Sequence, residues 1–600
     1  MTYYNPLDNF YKSVVGAVRE NETITFRVKG DFTFCNFIYR LDGDTDRVIS
    51  MLKKGDFFET EISFSRGLYT YYFSVGEEKF IGLNKNYLGE ITGEPQSFQL
   101  LAYSKDYKTP EWIKGGVIYQ IFPDRFNRGE KEKTIGKGKI LRSDYDGIPY
   151  YKPNEKGRVL NNDFFGGDFK GIEQKLDYIK NLGVSAIYLN PIFKAYSNHR
   201  YDTGDYLSVD PLLGSEQDFL SLIKSAEKKG ISVILDGVFN HTGVDSVYFN
   251  MYGNYDSLGA YQSEKSKYKT WYKFIDYPDN YESWWGVKDL PALNKNNAEY
   301  VEFITGENGV IDKYMKLGIG GWRLDVVDEL PDEFVKKIRR AVKRVDEDAV
   351  VIGEVWEDAT NKVSYGVRRE YFLGEELDSV MNYPLKNAII DYVLNGNSEN
   401  LSFVVKSQTD HYPASSLNSL MNILSTHDTF RLLSAVSGID VSGMTKERMS
   451  TIKIAESEYL GAIIKHKAAA LLQYTLYGVP SVYYGDEIGM QGYTDPLNRA
   501  FFSWDNINEE LLNFYVKLGK LRNDYGVFKD GKTEIVYDAG GVFAFKRTNG
   551  KSEVFVAENF GKNDKELLFN GSITEILTET EYVDRYILES KSFAVFVNYK

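Results

Sequence analysis

The feature that most constrains the fold is a regular alternation of helix patterns and short apolar runs, from about residue 113 to 525. A run such as "ISVILD" (231–236) is too short and too β-branched for a helix, and a helix pattern precedes it. Since parallel strands are joined by crossover helices, the alternation predicts a parallel sheet. Eight runs are candidate strands: 117–122, 184–190, 231–236, 320–325, 350–354, 377–381, 422–427 and 480–484.

Eight strands in an α/β pattern predict a closed (β/α)8 TIM barrel. An open doubly wound sheet is the structural alternative. No strand is followed by a glycine-rich phosphate loop of the G-x-G-x-x-G or G-x-x-x-x-G-K type, so nucleotide binding of those kinds is not indicated.

Three further segments flank or interrupt the barrel. Residues 1–105 read as an N-terminal β-sandwich, and residues 526–600 as a C-terminal β-sandwich. The barrel domain then occupies 106–525. Within it, about 242–297 is too long for a structureless loop and predicts an inserted small domain after the third strand.

Composition excludes several partners. The net charge of −14 attracts neither nucleic acid nor anionic lipid. We find no run of about 18 apolar residues, and "MTYYNPLDNF" lacks a signal-peptide pattern. Cys35 is the only cysteine, which is typical of a buried, inert thiol. The sequence predicts a cytoplasmic protein without membrane or nucleic acid partners.

Polar residues cluster where the predicted strands end, which is where such barrels build their sites. Arg323 and Asp325 are two residues apart on one strand, so their side chains lie on the same face and both point to the barrel mouth. Carboxylates that converge there repel one another, which is common where chemistry needs them. The residues at these ends are Asp124, Tyr201, Asp202, Asp236, Asn240, Arg323, Asp325, Glu354 and Asp428, with His199, His241 and His427.

Glycoside hydrolysis is a chemistry that needs carboxylates and no cysteine or phosphate loop. One carboxylate attacks the anomeric carbon, and a protonated one delivers a proton to the leaving oxygen. A nearby negative charge or desolvation keeps the second carboxyl protonated, while Arg323 would hold Asp325 ionised.

Four sequence motifs are similar to those of a known enzyme family. "DGVFNH" (236–241), "GWRLDVVDE" (321–329), "GEVW" (353–356) and "STHD" (425–428) resemble the signature regions of the α-amylase family, in its order. The similarity covers about 110–525. The N-terminal β domain, "LPALN" (290–294) and "DPLNR" (495–499) resemble the neopullulanase, cyclomaltodextrinase and maltogenic amylase branch.

The resemblance implies a role for each matched residue. It implies Asp325 as nucleophile, Glu354 as general acid/base and Asp428 as transition-state stabiliser, with retention through a covalent glycosyl-enzyme. Arg323 would orient Asp325. Substrate contacts are implied for His241 and His427 in the −1 subsite, Tyr201 beneath its sugar, Asp495 and Arg499 on the non-reducing side, and Trp356 on the acceptor side.

Two departures from the branch affect specificity. "LPALN" stands where the branch usually has "MPKLN", and Glu357 stands where it often has His after the Trp.

Many relatives also bind Ca²⁺ after the first strand. Here "FNRGEKEK" (126–133) carries lysines, and Asn127, Gly167 and Asp168 are the candidate ligands, whereas Ca²⁺ takes six to eight oxygens. The sequence does not decide whether this loop binds Ca²⁺.

Three functions compete. The first is a cytoplasmic glycoside hydrolase that cleaves α-1,4 bonds of maltodextrins, cyclodextrins and pullulan. The second is an α-glucan transglycosylase or α-glucosidase on the same barrel, which shares every catalytic residue. The third is a non-catalytic glucan-binding protein, which the complete set of acids disfavours. Two roles stay open for the N-terminal β-sandwich of residues 1–105, glucan binding and dimerisation, and the resemblance favours a homodimer formed through this domain.

Overall fold

The computed structural model describes residues 3–129, 132–155 and 157–599. The chain divides into two compact units. One unit contains residues 1–109, 356–420 and 531–600, and the other contains 110–355 and 421–530. Among the described residues, we find no helix with the length and apolarity needed to cross a membrane.

All eight predicted barrel strands are present. They form one sheet in the order β6-β5-β4-β3-β2-β1-β8-β7, and the neighbouring strands from β5 round to β7 are parallel. The strands are β1 Ile118–Ile121, β2 Ala186–Leu189, β3 Ser232–Gly237, β4 Gly321–Leu324, β5 Val350–Gly353, β6 Ser379–Val380, β7 Met421–Ile423 and β8 Val479–Tyr483.

The sheet is a nearly closed barrel, and this confirms the predicted fold class. At the seam between the end strands, Ser379 Oγ donates to Ser419 O at 2.6 Å, and Ser419 Oγ donates to Asp378 O at 3.0 Å. These side chains satisfy backbone oxygens where the ladder stops. Every residue of β1, β2, β4, β5 and β8 is buried, which is why the strands read as continuous apolar runs.

The helices begin and end at the signals expected of them. Ser215 and Asp218 form a capping box before Glu216–Glu227, and Asp332–Val345 buries one apolar face with Phe334 and Ile338. The α-helices are Phe169–Gln174, Leu176–Asn181, Glu216–Glu227, Ala298–Thr305, Val310–Lys316, Asp332–Val345, Tyr383–Asn395, Ser398–His411, Ala414–Leu417, Leu432–Ala435, Lys446–Met449, Glu456–Thr475, Glu509–Asp524 and Val527–Asp530.

The N-terminal strands form a seven-stranded and a three-stranded sheet around an aromatic core, in which Phe26, Phe37 and Tyr71 pack ring against ring. Cys35 lies in this core, and burial raises the pKa of its thiol to about 12. The strands are Val18–Arg19, Thr23–Lys29, Asn36–Leu41, Arg47–Ser50, Leu52–Lys54, Phe57–Ser63, Gly67–Gly76, Lys79–Leu83, Gly89–Thr92 and Phe98–Tyr103.

The C-terminal strands form one continuous six-stranded sheet. In sheet order they are Lys532–Ala539, Val542–Thr548, Ser552–Asn559, Ser592–Tyr599, Lys565–Glu575 and Thr580–Leu588. Short two-stranded ladders occur elsewhere: Ile140–Leu141 with Asp163–Phe164, Phe193–Ala195 with Thr203–Val209, Phe274–Asp276 with Asn280–Tyr281, and Val363–Ser364 with Val367–Arg368.

Residues 242–297 contain one of these ladders and two 3-10 turns, Lys269–Trp271 and Trp284–Gly286. The segment folds back on the end of β3, because His241 forms a β-bridge with Ala292. It therefore packs beside the carboxyl ends of the strands.

One buried carboxyl in the C-terminal sheet leads to a stability prediction. Neither carboxyl oxygen of Glu558 has a hydrogen-bond partner among the described residues, and burial raises its pKa well above the ordinary value. The folded protein therefore keeps a proton that the unfolded chain releases above about pH 4.5, so stability falls as pH rises, by about 1.4 kcal/mol per pH unit.

We predict that Glu558→Gln removes the part of the pH-dependent fall in stability that Glu558 causes. Urea unfolding at pH 5 and pH 8 should show a smaller fall in stability for the variant than for the parent. Glu553→Gln, on the same strand, is the control because its partly exposed side chain pairs with Lys546. An equal pH dependence in parent and Glu558→Gln would contradict the prediction.

Candidate active site

The centre of the site is Arg323 on β4, whose buried guanidinium contacts three carboxylates. Its Nη1 donates to Asp236 Oδ1 and Oδ2 at 2.8 and 3.0 Å and to Asp325 Oδ1 at 3.0 Å. Its Nη2 lies 2.8 Å from Glu354 Oε2. The three carboxylates come from the ends of β3, β4 and β5, so the barrel brings them together as the strand-end argument predicts.

The backbone fixes this arrangement. Asp325 N donates to Gly237 O at 3.1 Å, and Glu354 N donates to Leu324 O at 3.1 Å, so each acid is tied to the neighbouring strand. After Asp325 the chain turns sharply at Val326, which has φ 41° and ψ 51°. This left-handed conformation is unfavourable for a β-branched residue, and it aims Val326 N at Glu354 Oε2, 2.8 Å away.

Three carboxylates share one cation, so the cluster has excess negative charge. Burial raises the pKa of Asp325 well above its ordinary value. Arg323 opposes that rise, while Glu354 and Asp236 add to it. The pKa of Asp325 therefore depends on the charges around it as well as on its burial.

His427 is held in one orientation by three neighbours. Gln120 Nε2 lies 3.0 Å from Nδ1, and because an amide nitrogen donates, Nδ1 is the acceptor in this contact. Nε2 lies 2.6 Å from Tyr201 Oη and 3.0 Å from Asp428 Oδ2. Tyr201 in turn donates to Asp236 Oδ2 at 2.8 Å, and its ring is parallel to that of His427.

Asp428 lies at the more open side of the site. Burial acts to raise the pKa of this carboxyl, but His427 and Arg499 outweigh it and hold the pKa well below its usual range. Arg499 Nη2 is 3.3 Å from Asp428 Oδ1, and Arg499 Nη1 is 2.8 Å from Asp495 Oδ1. Asp428 is therefore an anion, linked through Arg499 to Asp495.

His241 borders the inserted segment. Its ring stacks on Trp284, with centroids 5.4 Å apart and an interplanar angle of 27°. Burial and then Lys295 lower its pKa to about 3, so the ring is neutral. Its Nε2 has no partner among the described residues and is available to a ligand.

Trp356 belongs to the other compact unit, within residues 356–420. It stacks on Tyr383 with centroids 3.9 Å apart, and 47% of its surface is exposed. Its predicted role on the acceptor side stays a prediction.

The three candidate calcium ligands already make contacts within the protein. Asn127 uses its side-chain nitrogen to donate to Gly171 O at 3.0 Å, and Gly167 N donates to Asp124 O. The Asp168 carboxylate contacts Lys133 Nζ at 2.6 Å. Among the described residues no group of three or more His, Cys, Asp or Glu could hold a metal ion.

The prediction from the sequence assigns no role to several residues of the site. Asp236 is recognisable at a strand end, but its pairing with Arg323 is not. Gln120 and Tyr188 were missed, although a polar side chain inside the buried run "VIYQIF" (117–122) is a usable signal for Gln120. Tyr188 donates to Asp236 Oδ2 at 2.5 Å. Trp284 carries no signal beyond the aromatic richness of its segment.

Comparison with known proteins agrees with this geometry. The family model of the α-amylase catalytic domain matches residues 120–513. An amylopullulanase of Thermoanaerobacter thermohydrosulfuricus is 36% identical over 94% of the chain, which spans only 41% of that relative. A cyclomaltodextrinase of Thermoanaerobacter pseudethanolicus is 34% identical over 76% of the chain and 72% of its own length.

Among solved structures, the type III pullulan hydrolase from Thermococcus kodakarensis is similar along the whole of both chains, with a TM-score of 0.69 and 25% identity. A barrel with this strand order, carrying three acids and an arginine at its strand ends, defines a glycoside hydrolase scaffold. The chain belongs to the α-amylase family.

The neutral state of His241 gives a pH prediction. The unfolded chain binds a proton on this residue below about pH 6.5, and the folded protein does not until about pH 3, so stability falls with acidification across that window. We predict that His241→Gln reduces the stability difference between pH 7 and pH 5 by about 2 kcal/mol. Urea unfolding at the two pH values measures it, and an unchanged difference would refute the prediction.

Proposed function

We propose that the protein is a retaining α-glucan hydrolase that cleaves α-1,4-glucosidic bonds of maltodextrins, cyclodextrins and pullulan. The observation that carries the proposal is the contact of Asp325 and Glu354 with one buried guanidinium, that of Arg323. Two carboxyl groups beside each other at a barrel mouth are the machinery of glycoside hydrolysis.

In the proposed reaction Asp325 attacks the anomeric carbon while Glu354 protonates the oxygen of the leaving sugar. Arg323 contacts Asp325 and stabilises the ionised form that attacks the sugar. Glu354 afterwards takes a proton from the water that releases the covalent glycosyl-enzyme. The sugar thus keeps its α configuration.

The remaining residues would hold the sugar at the point of cleavage. Asp428, an anion with exposed surface, suits hydrogen bonds to hydroxyl groups and the positive charge that develops on the ring. His241 offers a free Nε2, and Tyr201 and His427 present a stacked aromatic pair. Asp495 and Arg499 would bind the next sugar on the non-reducing side.

The choice of substrates is supported by the relatives. They include a cyclomaltodextrinase and an amylopullulanase, and a structural neighbour is a pullulan hydrolase. A transglycosylase or α-glucosidase would use the same residues and remains the alternative, which product analysis separates. Degradation of starch, action in the cytoplasm and a homodimer through the N-terminal domain remain predictions of the sequence.

We predict that Asp325→Asn abolishes hydrolysis, with a loss of at least about 10⁴-fold in kcat, because an amide cannot form the glycosyl ester. Chromatography of products from β-cyclodextrin, pullulan and soluble starch measures this. The parent enzyme should release maltose from cyclodextrin and panose from pullulan.

Asp505→Asn is the matched control, since this aspartate is exposed and far along the chain from the acids. It should retain the parental products and rate. Full activity in Asp325→Asn would exclude Asp325 as nucleophile. If the parent cleaves none of the three glucans, the hydrolase proposal fails, and the formation of longer products from maltotriose would favour the transglycosylase.

A further inference from the structure

Lys133 has its ammonium group buried against oxygen atoms in the loop that follows β1. Nζ donates to Asp168 Oδ2 at 2.6 Å and to Leu212 O at 2.8 Å. The side chains of Lys133 and Asp168 are 7% and 6% exposed. A lysine is rarely this buried unless its charge is compensated, and here one carboxylate and one carbonyl compensate it.

Both carboxylate oxygens of Asp168 are already engaged by donors from the protein. Its Oδ1 accepts from Gly129 N at 2.9 Å and from Gly171 N at 2.7 Å, while Oδ2 accepts from Lys133. The carboxylate thus ties three separate parts of the chain together, at 129, 133 and 171. An ion placed on Oδ2 would have to displace the ammonium.

The space around the lysine is also filled. A side-chain carbon added at Gly166 would come within 3.4 Å of Lys133 Cδ and Cε, so the aliphatic stem packs directly on this turn. Asn127 O accepts from Asp168 N at 3.1 Å. The oxygens near Asp168 are therefore already engaged by protein donors and do not form an open set of the six to eight that Ca²⁺ takes.

We propose that the Lys133 ammonium is a built-in cation that replaces Ca²⁺ at Asp168, so that the loop after β1 folds without a divalent metal. The ammonium gives Asp168 one fixed positive charge where a bound Ca²⁺ would give two, and its presence does not depend on the free ion concentration.

The test is thermal unfolding of the full chain in 5 mM EDTA and in 5 mM CaCl₂. The parent should show the same Tm, within about 1 °C, in both solutions. Lys133→Met keeps the aliphatic stem and removes the charge, and its Tm should fall by about 3 °C or more, since a buried carboxylate loses its partner. Lys170→Met is the control, because Lys170 forms an exposed ion pair with Glu173.

A second variant tests the replacement itself. Lys133→Asp places another carboxylate beside Asp168, so its Tm should be low in EDTA and rise in CaCl₂, with Ca²⁺ binding detectable by titration calorimetry. A parent Tm that rises with CaCl₂ would overturn the proposal, as would equal stability of the two methionine variants or a Lys133→Asp protein indifferent to Ca²⁺. None of these readouts depends on the proposed hydrolytic activity.

Discussion

The buried contact between Arg323 and three carboxylates is the interaction on which the site depends. Asp236, Asp325 and Glu354 lie on neighbouring strands, and without the guanidinium their charges would repel at close range. Breaking a buried charge cluster by removing one partner typically costs about 3–5 kcal/mol. Neutral donors, the hydroxyls of Tyr188 and Tyr201, complete the compensation at Asp236, while Arg323 also contacts Asp325 and Glu354.

The barrel could be read from the sequence because its signal is local. Each strand is a short apolar run beside a helix pattern, and the eight predicted runs all contain the observed strands except for boundary shifts such as Met421–Ile423 and Val479–Tyr483. The strand-end rule then locates Arg323, Asp325 and Glu354, because parallel strands end on the same side. Their proximity follows from chain direction, whereas the contacts between their side chains become known only from the folded structure.

The features of the site that could not be predicted from the sequence depend on contacts between positions far apart in the chain. Gln120 reaches His427 across 307 residues, and Tyr188 reaches Asp236 across 48, so neither partner can be inferred from its neighbours. The calcium question shows the same limit. Asn127, Gly167 and Asp168 are visible in the sequence, but the lysine that occupies the carboxylate is identified only when the loop is folded. Side-chain packing, rather than residue type, decides what each group can bind.

The backbone bonds that attach Asp325 and Glu354 to adjacent strands have a consequence for how such an enzyme can change. The separation of the two acids is set by the ladder of the barrel, whereas the groups around them, such as Trp284 and the segment 242–297, come from loops. Insertions and replacements in those loops can therefore reshape the cleft while the distance between the reacting groups is preserved. The architecture separates the part that performs the chemistry from the part that can diversify, and new specificities can arise without rebuilding the catalyst.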